Sequence, residues 1–318
     1  MSENRMSRRT TLKTGLLVGA TAMTGSAKKA AAAATAATAN PLKPIPIPAQ
    51  APAKEAIAAL PGTRLGYWDT GGNGTAVVLL HPATGSAGIW VYQQPVFVKA
   101  GHRVIAFSRR GYANSDPVPK ANPGSASMDL AALMDFLDVG HFHLVGSAAG
   151  GQIAIDYALS HPGRLFSLTL ACAVGGVTDK DYTDMSARIR PKGYDDMPAD
   201  FREVSPSYRA SNPEGTAKWM ELEHSAVTGN RFGQQNVNKI NWASLATIKV
   251  ATLVVAGDAD LGVPPPMARM VASHIPGSRL EIVPESGHSL YWERPDIFNR
   301  LLLDFFTRVE RDLYRTIP

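Results

Sequence analysis

The stretch "LVGSAAGGQIAIDYAL" has the glycine spacing of a site for nucleophilic attack but lacks the attacking side chain. The run "HFHLVG" predicts a strand, "GQIAIDYALSH" predicts a helix, and "GSAAGG" is the turn between them, which is the context of a G-x-S-x-G nucleophile elbow. Gly146 and Gly150 suit such a bend, because a side chain at either position would collide where strand and helix pack closely. The nucleophile position holds Ala148. The stretch therefore predicts the backbone of an elbow without its hydroxyl.

Apolar runs that alternate with amphipathic stretches must hold this elbow in place. Six runs have the composition of strands buried on both faces: 75–81, 102–108, 141–147, 165–173, 251–258 and 280–286. Helical stretches lie between or after them, at 128–137, 151–161 and 295–313. The alternation predicts an α/β fold, with a mostly parallel sheet flanked by helices.

One interval, residues 175–247, breaks the alternation and is too long for a simple crossover. We predict an inserted helical cap there, over the end of the sheet where functional loops gather, between core segments 62–174 and 248–318. The aromatic side chains of the cap favour an apolar or aromatic small-molecule substrate. Tyr208 and Trp219 are the candidates for contact with it.

From about Arg64 to its end, the chain resembles the α/β-hydrolase superfamily. Three segments carry the resemblance: the elbow, "VVAGDADLGVPP" and "VPESGHSLYWERP". The family order of nucleophile, acid and histidine implies Asp260 as the acid and His288 as the base, with Asp258 as the alternative acid. This chemistry needs a histidine to take the proton of a hydroxyl and a carboxylate to hold the other ring nitrogen.

The resemblance also implies an oxyanion site in "LLHPATGSAGIW". The backbone N–H groups of Ala83 and Ala149 are the expected donors. Pro82 stands where the family usually has glycine, and its fixed φ and missing N–H make this loop depart from the family pattern.

Two explanations of Ala148 are open. Either the native residue is serine and the chain carries an inactivating replacement, which the intact elbow, acid and histidine favour, or the protein is a natural pseudoenzyme that binds without turnover. The shift that would use Ser147 places Val145 where the bend needs a small residue. In either case the chain is expected to be nearly inactive.

The resemblance implies cleavage of a carboxylic ester or lactone by a Ser–His–Asp mechanism without a cofactor. A carbon–carbon bond hydrolase is the alternative, since such enzymes often place tryptophan where Trp292 stands, four residues after His288. Trp292 is therefore a third candidate for substrate contact. No His or Cys cluster has metal-ligand spacing.

The first 39 residues predict a twin-arginine export signal, with a basic start, "SRRTTLK", a short apolar run and the small-residue site "ATA". That run is shorter than the roughly 20 residues that span a bilayer, so we expect a mature chain without a membrane span, periplasmic or extracellular. Residues 40–61, rich in Pro and Ala, predict an extended arm.

The signal also carries the charge of the chain. Residues 1–39 hold six of the 32 Lys and Arg residues and one of the 27 Asp and Glu residues, so the remainder is formally neutral. Nothing in that balance indicates a nucleic-acid partner.

Overall fold

Eight strands form one sheet in the computed structural model, which describes residues 43–173, 175–229 and 233–316. The spatial order is β1-β2-β4-β3-β5-β6-β7-β8. The pairs β1–β2 and β2–β4 are antiparallel. All the remaining pairs, from β4–β3 to β7–β8, are parallel. The bounds are β1 Lys54–Leu60, β2 Thr63–Asp69, β3 Ala76–Leu80, β4 Arg103–Phe107, β5 Phe142–Ser147, β6 Leu165–Ala171, β7 Ala251–Gly257 and β8 Arg279–Val283.

Helices cover both faces of this sheet, which is why its central strands are apolar without alternation. In β3, Val78 and Leu80 pack into one buried cluster, whereas Val77 and Leu79 pack into a second cluster on the other face. The helices of the described residues are α1 Gln94–Lys99, α2 Ala126–Phe136, α3 Ala149–Ser160, α4 Lys180–Ile189, α5 Ala199–Glu203, α6 Pro206–Ser211, α7 Pro213–Ala226, α8 Trp242–Leu245, α9 Pro265–His274, α10 Leu290–Glu293 and α11 Pro295–Thr316. The predicted α/β fold, a mostly parallel sheet flanked by helices, is confirmed.

Five of these helices, α4 to α8, fall between β6 and β7. They occupy the interval 175–247 that the sequence assigned to a cap, and "the cap" below means that interval.

Strands β1 and β2 have no counterpart among the six predicted runs. The arm proposed for residues 40–61 ends in β1, which pairs with β2 through a hairpin that turns at Gly62, where φ is 77°. The sequence did not predict β1 because this strand lies at the sheet edge and Ala58 is its one fully buried residue. Lysine, glutamate and alanine, which are poor strand formers, occupy much of its length. Its pairing comes from tertiary contact and not from strand propensity.

The predicted signal, residues 1–39, lies outside the described residues. Across the described ranges, no helix combines the length and apolar character needed to cross a membrane.

Candidate active site

The elbow joins the end of β5 to the start of α3, and Ala148 takes the strained backbone conformation there, with φ 50° and ψ −116°. Its N–H donates to the Ala171 carbonyl at 3.0 Å. A Cβ on Gly146 would lie 2.5 Å from the Gly150 carbonyl oxygen, and one on Gly150 would lie 2.3 Å from the Leu80 carbonyl oxygen. A positive φ is costly for a residue with a side chain and persists only when its surroundings impose it. The chain therefore keeps the elbow geometry although the hydroxyl is missing.

Ser147 does not substitute for the missing hydroxyl. It ends β5, is fully buried, and its Oγ has no hydrogen-bond partner in the described part of the chain. The side chain at the elbow itself is that of Ala148.

His288 and Asp260 meet at the carboxyl end of the sheet. The Nδ1 of His288 lies 2.9 Å and 2.8 Å from the two carboxylate oxygens of Asp260. Asp260 is itself fixed, because its Oδ1 accepts the N–H groups of Gly262 and Val263 at 2.7 Å and 2.8 Å. Asp258 is exposed and accepts a backbone N–H instead. The structure thus pairs Asp260 with His288 and leaves Nε2 of the ring for a reacting group.

The charges around His288 favour its protonated form. Burial of the ring lowers its pKa, but the carboxylates of Asp260 and Glu203 outweigh burial and raise the pKa of His288 to about 9. These charges favour the imidazolium, and the neutral ring that a general base requires gains population as pH rises toward that value.

The loop that follows β3 is held by a buried histidine that the sequence analysis did not single out. Nε2 of His81 accepts the backbone N–H of Arg109 at 3.0 Å, so Nδ1 carries the proton and donates to the Pro82 carbonyl at 2.7 Å. Burial and the nearby Arg109 charge lower the pKa of His81 well below its usual value, which keeps the ring neutral. Tyr112 donates to the Ala83 carbonyl at 3.0 Å.

These bonds fix the loop next to the start of α3, where Ala149 is the first residue. The close approach of Gly150 to the His81 carbonyl, 2.9 Å from an added Cβ, shows that the two loops meet. Ala83 and Ala149 therefore come from neighbouring loops, and their role as oxyanion donors stays a prediction.

A second acid, Glu203, reaches this region from the cap. Its side chain is buried, and its Oε2 accepts a hydrogen bond from the Thr84 hydroxyl at 3.2 Å. Burial raises the pKa of this carboxyl, whereas the charge of His288 lowers it. The cap also brings Tyr194, since a Cβ on Gly262 would lie 2.7 Å from the Tyr194 hydroxyl and 3.2 Å from Cε1 of His288. No local motif marks Glu203, so the sequence analysis missed it, whereas Tyr194 is one of the cap aromatics that the sequence analysis offered for substrate contact.

The three aromatic candidates for substrate contact join the cap to the core. Trp292 and Trp219 are fully buried and Tyr208 is nearly so, all within one apolar cluster. The Trp292 indole donates to the Gly215 carbonyl at 3.2 Å, and its ring lies 5.2 Å from that of Tyr92. These contacts are with protein, and substrate contact by the three residues stays a prediction.

A cavity of about 250 Å³ opens beside Ala149. Polar side chains, among them Arg109, Gln152 and Gln234, form much of its lining. Among the described residues, no cluster of three or more His, Cys, Asp or Glu side chains could hold a metal ion.

Comparisons with known proteins agree with this architecture. Residues 77–301 match the alpha/beta hydrolase family. The chain is 29% identical over 253 residues to the 2-hydroxy-6-oxononadienedioate/2-hydroxy-6-oxononatrienedioate hydrolase of Comamonas testosteroni, covering 74% of this chain and 88% of that protein. It is 30% identical over 250 residues to the putative carbamate hydrolase RutD of Variovorax paradoxus, covering 74% and 93%.

A solved structure described as Est816, an N-acyl homoserine lactone degrading enzyme, superposes with a TM-score of 0.63 at 26% identity, over 79% of this chain and all of that one. With the elbow, the Asp260–His288 pair and the family match over most of its length, this chain belongs to the α/β-hydrolase family.

Proposed function

We propose that the site is that of a serine hydrolase for carboxylic esters or lactones in which alanine replaces the nucleophilic serine. The observation that carries this proposal is the strained φ of 50° at Ala148, retained in a chain that also keeps the Asp260–His288 pair. A backbone strain of this kind costs on the order of 1–3 kcal/mol and persists only where the surrounding structure imposes it. The chain as it stands is expected to bind substrate without turning it over.

With serine at this position, we expect the reaction of a Ser–His–Asp hydrolase. Nε2 of His288 takes the hydroxyl proton while the oxygen attacks the acyl carbon, and Asp260 holds the imidazolium that forms. The negative oxygen of the tetrahedral intermediate would accept the N–H groups of Ala83 and Ala149. His288 then gives its proton to the leaving alcohol, and water repeats the sequence to release the acid.

The relatives support hydrolysis but differ in the bond that they break. Their names describe a hydrolase of 2-hydroxy-6-oxo dienedioates, a putative carbamate hydrolase and a lactone-degrading enzyme. The lactone-degrading structure favours esters and lactones. Carbon–carbon bond cleavage is the second candidate, because proteins with that name recur among the relatives at 29–30% identity. Trp292 does not decide between the two, since its contacts with Gly215 and Tyr92 account for its burial.

The test is the Ala148→Ser variant, assayed on esters, lactones and vinylogous diketones. We expect kcat on an ester to rise at least about 10³-fold over the unsubstituted chain, the range lost when triad nucleophiles are removed. Ala148→Ser combined with His288→Gln is the matched control and should stay at the level of the unsubstituted chain. A folded Ala148→Ser protein that is inert on all three substrate classes would support the pseudoenzyme explanation instead.

We also propose that residues 1–39 are an export signal, on the sequence features given above. Mass spectrometry of exported protein from the producing cell should find a chain that begins near residue 40, and an intact Met1 in that material would contradict it.

A further inference from the structure

A single peptide group joins the Pro82 carbonyl to the N–H of Ala83, the predicted oxyanion donor. Because a peptide group is planar and almost always trans, its carbonyl oxygen and its N–H point in opposite directions. The proline ring fixes only its own φ, so the plane of this peptide group is left to the partners of its carbonyl. The groups that hold the Pro82 carbonyl therefore also set the direction of the Ala83 N–H.

The side chain of Arg109 holds this carbonyl from the loop that follows β4. Its Nη2 donates to the Pro82 carbonyl at 3.0 Å and to the His81 carbonyl at 3.3 Å. The backbone N–H of Arg109 donates to Nε2 of His81, and Nδ1 of the same ring donates to the Pro82 carbonyl at 2.7 Å. The N–H of Gly85 donates to that carbonyl as well, at 3.2 Å. Arg109 thus reaches the Pro82 carbonyl both directly and through His81.

Arg109 is the charged donor of this group, since the ring of His81 is neutral. Hydrogen bonds from a charged donor are roughly twice as strong as neutral ones, and a carbonyl polarised in this way makes the N–H of its own peptide group a better donor. The guanidinium lies over the Tyr112 ring, 4.7 Å from its centre, and Arg109 lines the cavity that Ala149 also lines. Its charge therefore lies in the region of both predicted oxyanion donors.

We propose that Arg109 is a positioning residue that orients and polarises the Pro82–Ala83 peptide group, so that the Ala83 N–H can stabilise the negative oxygen of the tetrahedral intermediate. This inference rests on the proposed function, which places the reacting carbonyl at the elbow. It also gives a reason why the loop tolerates proline where the family usually has glycine. The partners of the Pro82 carbonyl set the plane of the peptide group, and they do not need the N–H that proline lacks.

The first experiment measures kcat and KM on an ester in the Ala148→Ser background. Arg109→Met keeps the length of the side chain and removes the guanidinium. We expect kcat to fall at least about tenfold with KM little changed, since an oxyanion donor acts in the transition state and loss of a whole donor costs about 10² to 10³. Arg109→Lys keeps the charge without the paired donors and should lose less kcat than Arg109→Met. It provides the same comparison if Arg109→Met does not fold.

Arg164 offers the matched control. It also donates to two successive backbone carbonyls, those of Val139 and Gly140, at 2.7 Å and 2.6 Å. These carbonyls precede β5, at the opposite end of that strand from the elbow. Arg164→Met removes the same kind of contact and should leave both kcat and KM unchanged.

A second measurement separates this inference from the proposed function. In NMR spectra of the unsubstituted chain, the amide nitrogen resonance of Ala83 should move in Arg109→Met, because the carbonyl of its peptide group loses a hydrogen bond, and should stay in place in Arg164→Met. A folded Ala148→Ser protein without turnover, in which this resonance still moves, would refute the hydrolase while Arg109 still orients the peptide group. Equal losses of kcat in Arg109→Met and Arg164→Met, a change in KM alone, or an unmoved Ala83 resonance would each overturn the role of Arg109.

Discussion

Two buried glutamates contact the residues on either side of His288, and they differ in what satisfies them. Glu293, in the core, accepts the N–H groups of Gly287 and Ser205 with both carboxylate oxygens, at 2.9–3.1 Å. Glu203, in the cap, contacts the His288 loop through its backbone and has one hydroxyl donor for its carboxylate. Glu293 therefore ties cap to core through its carboxylate, whereas Glu203 does so through its backbone carbonyl.

The core side and the cap side of the site differ in the same way, in the number of hydrogen bonds that hold their residues. On the core side, the elbow, Asp260 and the His81 loop are each held by several short hydrogen bonds. On the cap side, the side chains near His288 are held by few. Groups held in place before reaction are what transition-state stabilisation requires, so the core side is where we expect the chemistry.

The largest expected effect is on catalysis and concerns Asp260, on the core side of the site. In the Ala148→Ser background, Asp260→Asn should lower kcat on an ester by about 10³ to 10⁴, because the imidazole loses its orientation and the charge that stabilises it. Asp258→Asn is the matched control and should change kcat little, since Asp258 bonds the backbone of Glu285. Steady-state kinetics measure kcat for both variants. A larger loss in Asp258→Asn than in Asp260→Asn would show that the Asp260–His288 pair is not the catalytic one.

The next effect is on pH dependence and sharpens the role of both acids near His288. A general base acts when neutral, and the pKa of His288 is raised to about 9, so kcat/KM of the Ala148→Ser variant should fall about tenfold per pH unit below that value. Glu203→Gln removes one of the charges that raise this pKa and should move the profile to lower pH. Imidazole titration by NMR provides the same test without substrate, and a profile that does not move would mean that Glu203 does not face the ring.

The smallest effect concerns stability and addresses Glu293. Burial raises the pKa of Glu293 to about 7 from 4.5, despite its backbone bonds. The folded state therefore binds this proton more tightly than the unfolded state, so the contribution is present below pH 4.5 and is lost as pH rises through about 7. Glu293→Gln should remove pH dependence of unfolding on the order of 3 kcal/mol in this window.

Urea unfolding at several pH values measures that prediction. Glu214→Gln, at an exposed helix start, is the control and should keep the native pH dependence. If Glu293→Gln leaves the slope between pH 5 and 7 unchanged, Glu293 does not titrate in that range and its backbone hydrogen bonds compensate its burial.

The features that could be predicted from sequence are those whose geometry is local. The elbow follows from glycines at fixed spacing between a strand and a helix, and the structure gives Ala148 the expected strained φ. The alternation of buried runs and helices predicted the parallel sheet, because strands covered on both faces are uniformly apolar. Asp260 and His288 came instead from the resemblance to the α/β-hydrolase family, whose order of nucleophile, acid and histidine implies both residues.

Tertiary structure decided what local patterns could not. The resemblance implied Asp260 with Asp258 as the alternative, and the folded loop turns Asp260 inward to His288 while Asp258 stays exposed. Strand β1 forms because β2 is present to pair with it. Glu203 lies 55 residues beyond Ala148 in a helix of five residues, and only packing of the cap against the Thr84 and Ser289 loops brings its charge to the site. Long-range contacts of this kind arise from the shape of the folded core, which no short stretch of sequence encodes.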